Sequence, residues 1–198
     1  MTADLTLDSS GGDRVVVISG PSGVGKSTVC ARLCAALPAE FSVSYTTRTM
    51  RPGEVDGREY RFIPQAEFDR IEAAGGLLES ARVYGHSYGT PLEPVERALA
   101  ENRWIVLEID INGAIQVRRR YPKARTFFLL PPSPDEQRRR IVGRRTDDEQ
   151  VIARRLARAD GEIGFARESG CYDRFIINDD LNGTVAEILS VLGQEQPA

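Results

Sequence analysis

Residues 20–27 read Gly-Pro-Ser-Gly-Val-Gly-Lys-Ser, a full match to the spacing G-x-x-x-x-G-K-[S/T]. This octet restricts the fold more than any other feature of the chain. A polyphosphate can lie against bare backbone N–H groups only where no Cβ intrudes, which accounts for Gly20, Gly23 and Gly25. The flanks have the required character. RVVVIS at 14–19 is a β-branched run suited to a buried strand, and KSTVCARLCAAL at 26–37 carries apolar residues at helical spacing until Pro38 stops it. The helix then turns its positive dipole end toward the anion. Lys26 supplies a mobile charge for the terminal phosphates, and the Ser27 hydroxyl is a hard oxygen suited to Mg2+. The loop predicts a nucleoside triphosphate site spanning Gly20, Pro21, Ser22, Gly23, Val24, Gly25, Lys26, Ser27 and Thr28, and by itself names no reaction.

Further apolar runs at 103–109, 125–130 and 173–178 alternate with helical patterns at 91–101, 113–120, 133–142, 147–168 and 183–193. Strands alternating with helices predict an α/β fold, a parallel sheet flanked by helices. Residues 41–90 break the rhythm with expected short strands at 41–45, 60–63 and 77–90 and a helix at 64–75, and read as an insert on the core. With 198 residues the chain fits one domain, expected over 14–193 between polar tails at 1–13 and 194–198. A net charge of −3 offers no global attraction to nucleic acid or an acidic membrane, so an anion site must come from local clustering. No apolar stretch approaches the length of a membrane helix, and no signal layout opens the chain. Cys30, Cys34 and Cys171 form an odd, sparse set, read as free thiols in a reducing, cytoplasmic setting; Cys30 and Cys34 are expected in the core rather than on a metal.

Residues 46–60, TTRTMRPGEVDGREY, place Arg48 and Arg51 three apart between turn glycines, with Tyr60 at the end. By residue type alone this is equally a solvated positive loop or a grip on a phosphate dianion, since the planar arginine fork matches two oxygens. The wider run from Ser44 to Phe62 resembles the signature of guanylate kinases. The likeness continues in order through Leu78-Glu79, Tyr88-Gly89-Thr90, Leu107-Glu108-Ile109-Asp110 with Gly113, Pro131-Pro132-Ser133, Gly143-Arg144 and Asn178-Asp179-Asp180.

That resemblance implies a P-loop core, a small mixed α/β GMP-binding insert near 41–90 and a helical lid near 133–168. It implies transfer of the γ-phosphoryl of ATP, with Mg2+, to GMP and more weakly to dGMP, in purine nucleotide metabolism. It assigns the GMP phosphate to Arg48, Arg51, Tyr60 and Tyr88, and the guanine to Ser44, Glu79, Thr90 and Asp110. The chemistry agrees: guanine donates from N1 and N2, which a carboxylate accepts, whereas adenine would leave that carboxylate unpaired. Outside the resemblance, Glu79 reads as an exposed charge near a helix end. Asp110, taken to close a buried strand, could meet the Mg2+ water shell, the guanine, or both. Asn178 is placed near the adenine, with a strand-end turn as the plainer alternative.

The arginines of RRRIVGRR at 138–145 and of 154–155 can be a solvated face paired with Asp147, Asp148 and Glu149. Phosphoryl transfer offers another use, because catalysis there rests on alignment and charge neutralisation. The resemblance gives that task to Arg140, Arg144 and Arg155 beside Lys26, although Gly143-Arg144-Arg145 stands where the family commonly has Gly-Arg-Gly. His86 is expected on the surface or in packing. Two rivals remain: a similar kinase for another phosphorylated small molecule, which would lack the Ser44/Glu79/Thr90 set, and a non-catalytic scaffold domain, which would lack the loop. Oligomeric state has no signal.

Overall fold

In the computed structural model, which describes residues 12–83, 85–142 and 149–193 and the side chains of all but 149–155 of these, β1 (Val15–Ser19) is buried along its whole length. Both faces of its sheet are covered, so the run needs no polar alternation. Val16 and Ile18 pack under α1 (Lys26–Ala36) and α7 (Leu181–Val191). Val15 and Val17 pack on the opposite face against α3 (Leu92–Ala100) and α4 (Ile111–Arg120).

The sheet is parallel, in the order β2 (Ala39–Phe41), β7 (Trp104–Glu108), β1, β8 (Arg125–Leu130), β9 (Arg174–Ile177). β1 thus lies between two strands that come much later in the chain. This is the switch point at whose carboxyl end an open α/β sheet leaves a crevice, and the glycine loop starts there.

The insert is a second, mixed sheet in the order β4 (Arg61–Phe62), β3 (Tyr45–Thr46), β6 (His86–Pro91), β5 (Leu77–Val83), accompanied by α2 (Gln65–Ala73). The single strand expected at 41–45 is divided between the two sheets. Phe41 ends β2, Ser42 N still donates to Val106 O (3.0 Å), and by Ser44 the backbone serves Arg61 N (2.9 Å). Strand periodicity records extended backbone, not which partner it joins. β2 itself, Ala-Glu-Phe after Pro38, has no β-branched residue and escaped the strand pattern.

Two helices begin earlier than their apolar spacing suggests, and by one device. Asp110 Oδ1 accepts from Gly113 N (2.8 Å), and Asp180 Oδ2 from Gly183 N (2.6 Å), so α4 starts at Ile111 and α7 at Leu181. Asp110 therefore caps α4 and stands beyond β7, rather than closing that strand. At the amino end, Gly12–Arg14 form one 3-10 turn with Gly12 buried against Tyr121, so the expected boundary at residue 14 falls inside this turn. α5 (Pro134–Val142) and α6 (Glu149–Ser169) fall within the segment 133–168 expected as a lid, of which 143–148 lie outside the described residues. Cys30 lies in the core and Cys34 packs beside it, while His86 is exposed at the hairpin end of β6.

Candidate active site

The loop between β1 and α1 is clamped from behind. Gly23 (φ +81°) and Gly25 (φ +100°) have left-handed backbones, and a Cβ on Gly23 would sit 2.5 Å from Ile141 Cγ1. A Cβ on Gly25 would sit 2.8 Å from Asn178 Nδ2. Glycine is thus required by backbone sign and by neighbours on the protein side, beyond any need to bare N–H groups to an anion. Gln137 Nε2 donates to Ser22 O (2.8 Å), and Arg140 Nη1 donates to Val24 O (3.3 Å) and Asn178 O (2.9 Å). Asn178 Nδ2 donates to Val24 O (2.7 Å) while its Oδ1 accepts from Thr184 Oγ1 (2.9 Å). Arg140 and Asn178 therefore brace the loop from its far side, with both polar atoms of the asparagine committed. Gly25 brings no capping side chain, so the first-turn N–H groups of α1 have no side-chain cap.

At the mouth, Lys26 Nζ rests on Gly20 O (2.7 Å) and Pro21 O (3.2 Å). Ser27 Oγ donates to Glu108 Oε1 (3.1 Å), at the carboxyl end of the neighbouring strand β7. Glu108 has a place in the family signature but no role assigned from the sequence. Its signal is an acid closing a buried parallel strand, two residues before Asp110. Ser27 and Glu108 together present hard oxygens of the kind Mg2+ takes.

A cavity of about 460 Å³ joins this mouth to the insert. Gly20, Ser22 and Lys26 line one part of it, and Ser44, Glu79 and Asp110 another. Arg48, Arg51, Tyr60 and Tyr88 line it as well. Thr90 is fully buried behind Glu79. Thr90 Oγ1 donates to Glu79 Oε1 (2.6 Å), so the 3.3 Å contact between Ser44 and Thr90 must carry the Ser44 proton. Burial, reinforced by the Asp110 charge and opposed by the Thr90 bond, pushes the Glu79 carboxyl up to about 7.

Arg48 is held by Glu54, Nη1 to Oε2 at 2.7 Å and Nη2 to Oε1 at 2.5 Å, and lies over the rings of Tyr60 (5.1 Å) and Phe62 (5.3 Å). The Arg48 hydrogen bond holds Glu54 below the usual carboxylate range. Glu54 also accepts from Arg51 N (2.8 Å). It too was unassigned in the sequence, although an acid among loop arginines is a visible signal. Burial pushes Tyr60 up to about 12, and the Tyr60 and Tyr88 rings meet edge-on at 5.7 Å. α6 adds Arg158, Glu162 and Phe165 to the cavity, none foreseen. Arg144 lies outside the described residues, and so does the side chain of Arg155.

A family model described as "Guanylate kinase" matches residues 12–195. The chain belongs to the guanylate kinase family. It is similar to the guanylate kinase of Symbiobacterium thermophilum, 48% identical over 92% of this chain and 85% of that protein. The guanylate kinase of Nocardia farcinica is 47% identical over 90% of this chain and 92% of its own. Among solved structures, a guanylate kinase from Anaplasma phagocytophilum is 32% identical with a TM-score of 0.73, covering 93% of this chain and 86% of that one. The expected α/β fold with its parallel sheet agrees with this likeness. Membership of the guanylate kinase family together with an intact loop leaves no room for the scaffold alternative.

Proposed function

We propose that this guanylate kinase family member transfers the γ-phosphoryl group of ATP to GMP across the cavity shared by Lys26 and Glu79, giving ADP and GDP. The observation that carries this reading is that shared space. An anion on the loop and a nucleotide held by the insert would meet within it.

In this reading ATP lies along Gly20–Thr28, and Lys26 leaves the Gly20 and Pro21 carbonyls for the terminal phosphates. Ser27 and Glu108 would hold Mg2+, Ser27 directly and Glu108 through its carboxylate. The ion, when bound, neutralises charge on the phosphates. The GMP phosphate is gripped by Arg48, Arg51, Tyr60 and Tyr88. Glu54 takes the Nη1/Nη2 edge of Arg48, which leaves the Nε–H and one Nη2–H for the phosphate. Guanine N1–H and N2–H donate to Glu79, Ser44 and Thr90 complete the base pocket, and Asp110 faces the same nucleotide. An oxygen of the GMP phosphate forms the new bond to the γ-phosphorus as the bond to the β–γ bridging oxygen breaks. The nucleophile is already ionised, so no base is required. The family resemblance gives Arg144 and Arg155 the charge on the transferring group, while Arg140 and Asn178 support the loop, Asn178 next to the adenine.

dGMP, which carries the same base and phosphate, is taken as a weaker acceptor. No helix among the described residues is long and apolar enough to cross a membrane. Free thiols fit a reducing cytoplasm. A coupled ADP assay over the common nucleoside monophosphates tests the reading. Turnover is expected with GMP and, more weakly, dGMP; equal turnover with AMP would overturn the base assignment.

A further inference from the structure

We propose that Gly113 and Gln116, on α4 of the core, are positioning residues for guanine recognition: the absent side chain of Gly113 forms the seat of the Glu79 carboxylate, and the Gln116 amide fixes the strand that carries it. This rests on the reading above that Glu79 receives the guanine edge.

The carboxylate has two differently held oxygens. Oε1 accepts from Thr90. Oε2 lies over Gly113, where a Cβ would come within 2.6 Å of Oε2 and 3.0 Å of Cδ. No real Cβ tolerates that approach, so any other residue at 113 moves the acid. The backbone does not ask for glycine here, because Gly113 is helical without a positive φ. Helix positions otherwise disfavour glycine. At Gly161 and Gly164 of α6 an added Cβ would meet nothing within 4 Å, so steric need sets Gly113 apart from these other helical glycines. The Asp110 cap on Gly113 N holds this turn in place against the acid.

Gln116 acts one turn further along α4. β5 is an edge strand, and Ser80, next to Glu79, pairs with Gly89 of β6 on one side only. On the open side Gln116 Oε1 accepts from Ser80 N (3.3 Å) and Nε2 donates to Ser80 O (2.9 Å). The amide stands where a further strand would be, and satisfies both backbone groups. Glu79 is thus located by the core helix as much as by its own sheet. Recognition by hydrogen bonds depends on placement to within a fraction of an ångström.

The test measures KM for GMP, for inosine monophosphate (which lacks the 2-amino group) and for ATP, with melting temperature, in Gly113→Ala, Gln116→Ala and Glu79→Ala and in the double variant of 79 and 113. Gly113→Ala should raise KM for GMP by about tenfold or more, narrow the preference for GMP over inosine monophosphate, and leave KM for ATP within about twofold. In the Glu79→Ala background the same substitution should change nothing further in KM, because the methyl then meets no carboxylate. Gln116→Ala should raise KM for GMP in the same selective way, and carries the test if Gly113→Ala does not fold. If Glu79→Ala raises KM for GMP while Gly113→Ala or the fallback Gln116→Ala does not, the proposal is overturned and the base assignment stands. A parallel rise in both KM values with a fall in melting temperature would make the role merely structural and also overturn it. If Glu79→Ala itself leaves KM for GMP unchanged, the base assignment fails.

Discussion

Glu54 grips Arg48 by both terminal nitrogens, at 2.7 and 2.5 Å, and accepts the Arg51 amide at 2.8 Å with the same carboxylate. Two arginines of one phosphate grip are thereby tied to one acid. A guanidinium has two bidentate edges, and the acid occupies one. Glu54→Ala should therefore raise KM for GMP about tenfold by releasing Arg48, with KM for ATP unchanged. Steady-state kinetics with each substrate varied in turn measures it, and tighter GMP binding in the variant would show that Glu54 competes with the phosphate instead.

The Glu79 carboxyl, pushed up to about 7, makes base recognition depend on pH. The acceptor for guanine is the ionised form, so GMP affinity should fall by up to about tenfold per pH unit below 7. Calorimetric titration of GMP between about pH 8 and pH 5.5 should show that step, and Glu79→Gln should lose it. Stability runs the other way. The folded carboxyl binds its proton more tightly than the unfolded one, so the stabilisation is complete below about 4.5 and is lost as pH rises through about 7. The cost of ionisation is on the order of 3 kcal/mol at high pH. Glu79→Gln should melt above the parent at pH ~8 and near it at pH ~5.

Lys26 Nζ donates to two carbonyls of its own loop. Removing its charge leaves the developing charge on the phosphates without that partner. Lys26→Ala should lower kcat/KM by about 10²–10³-fold with little change in melting temperature. Near-parental turnover in the coupled assay would reject the loop as the donor site.

Asn178 bonds Val24 O and Thr184 Oγ1 from a buried position. Asn178→Ala removes the acceptor of Thr184 and leaves Val24 O with only its 3.3 Å bond from Arg140, and should cost about 1–3 kcal/mol of stability. It should also weaken ATP binding more than GMP binding, since Val24 belongs to the loop. Thermal melts and separate titrations of the two nucleotides check both parts.

Much of this arrangement was legible along the chain. The octet at 20–27 stands after β1 and runs into the first turn of α1, because its requirements are local: backbone sign, a helix start and a strand that can be buried on both faces. Ser44, Arg48, Arg51, Tyr60, Glu79, Tyr88 and Asp110, which the family signature picks out along the chain, line one cavity with the loop. Asp110 caps α4 instead of ending the strand as its apolar neighbours suggest. Its capping bond reaches only to Gly113, but the apolar pattern of α4 rises later than the helix does. Only Phe41 of β2 falls within the strand expected at 41–45, because an edge strand with one partner needs little β propensity of its own.

By itself the sequence determined the phosphate loop, the alternation that makes a parallel sheet, and the family to which the chain belongs, since each is written in short spacings. Only the tertiary structure decided that Asn178 clamps Val24 across 154 residues, that Glu108 meets Ser27 across 81, and that Gly113 makes room for Glu79. Those pairs form where one packed element faces another. Spacing specifies backbone conformation within an element, whereas the packing of two sheets and their helices specifies which faces touch.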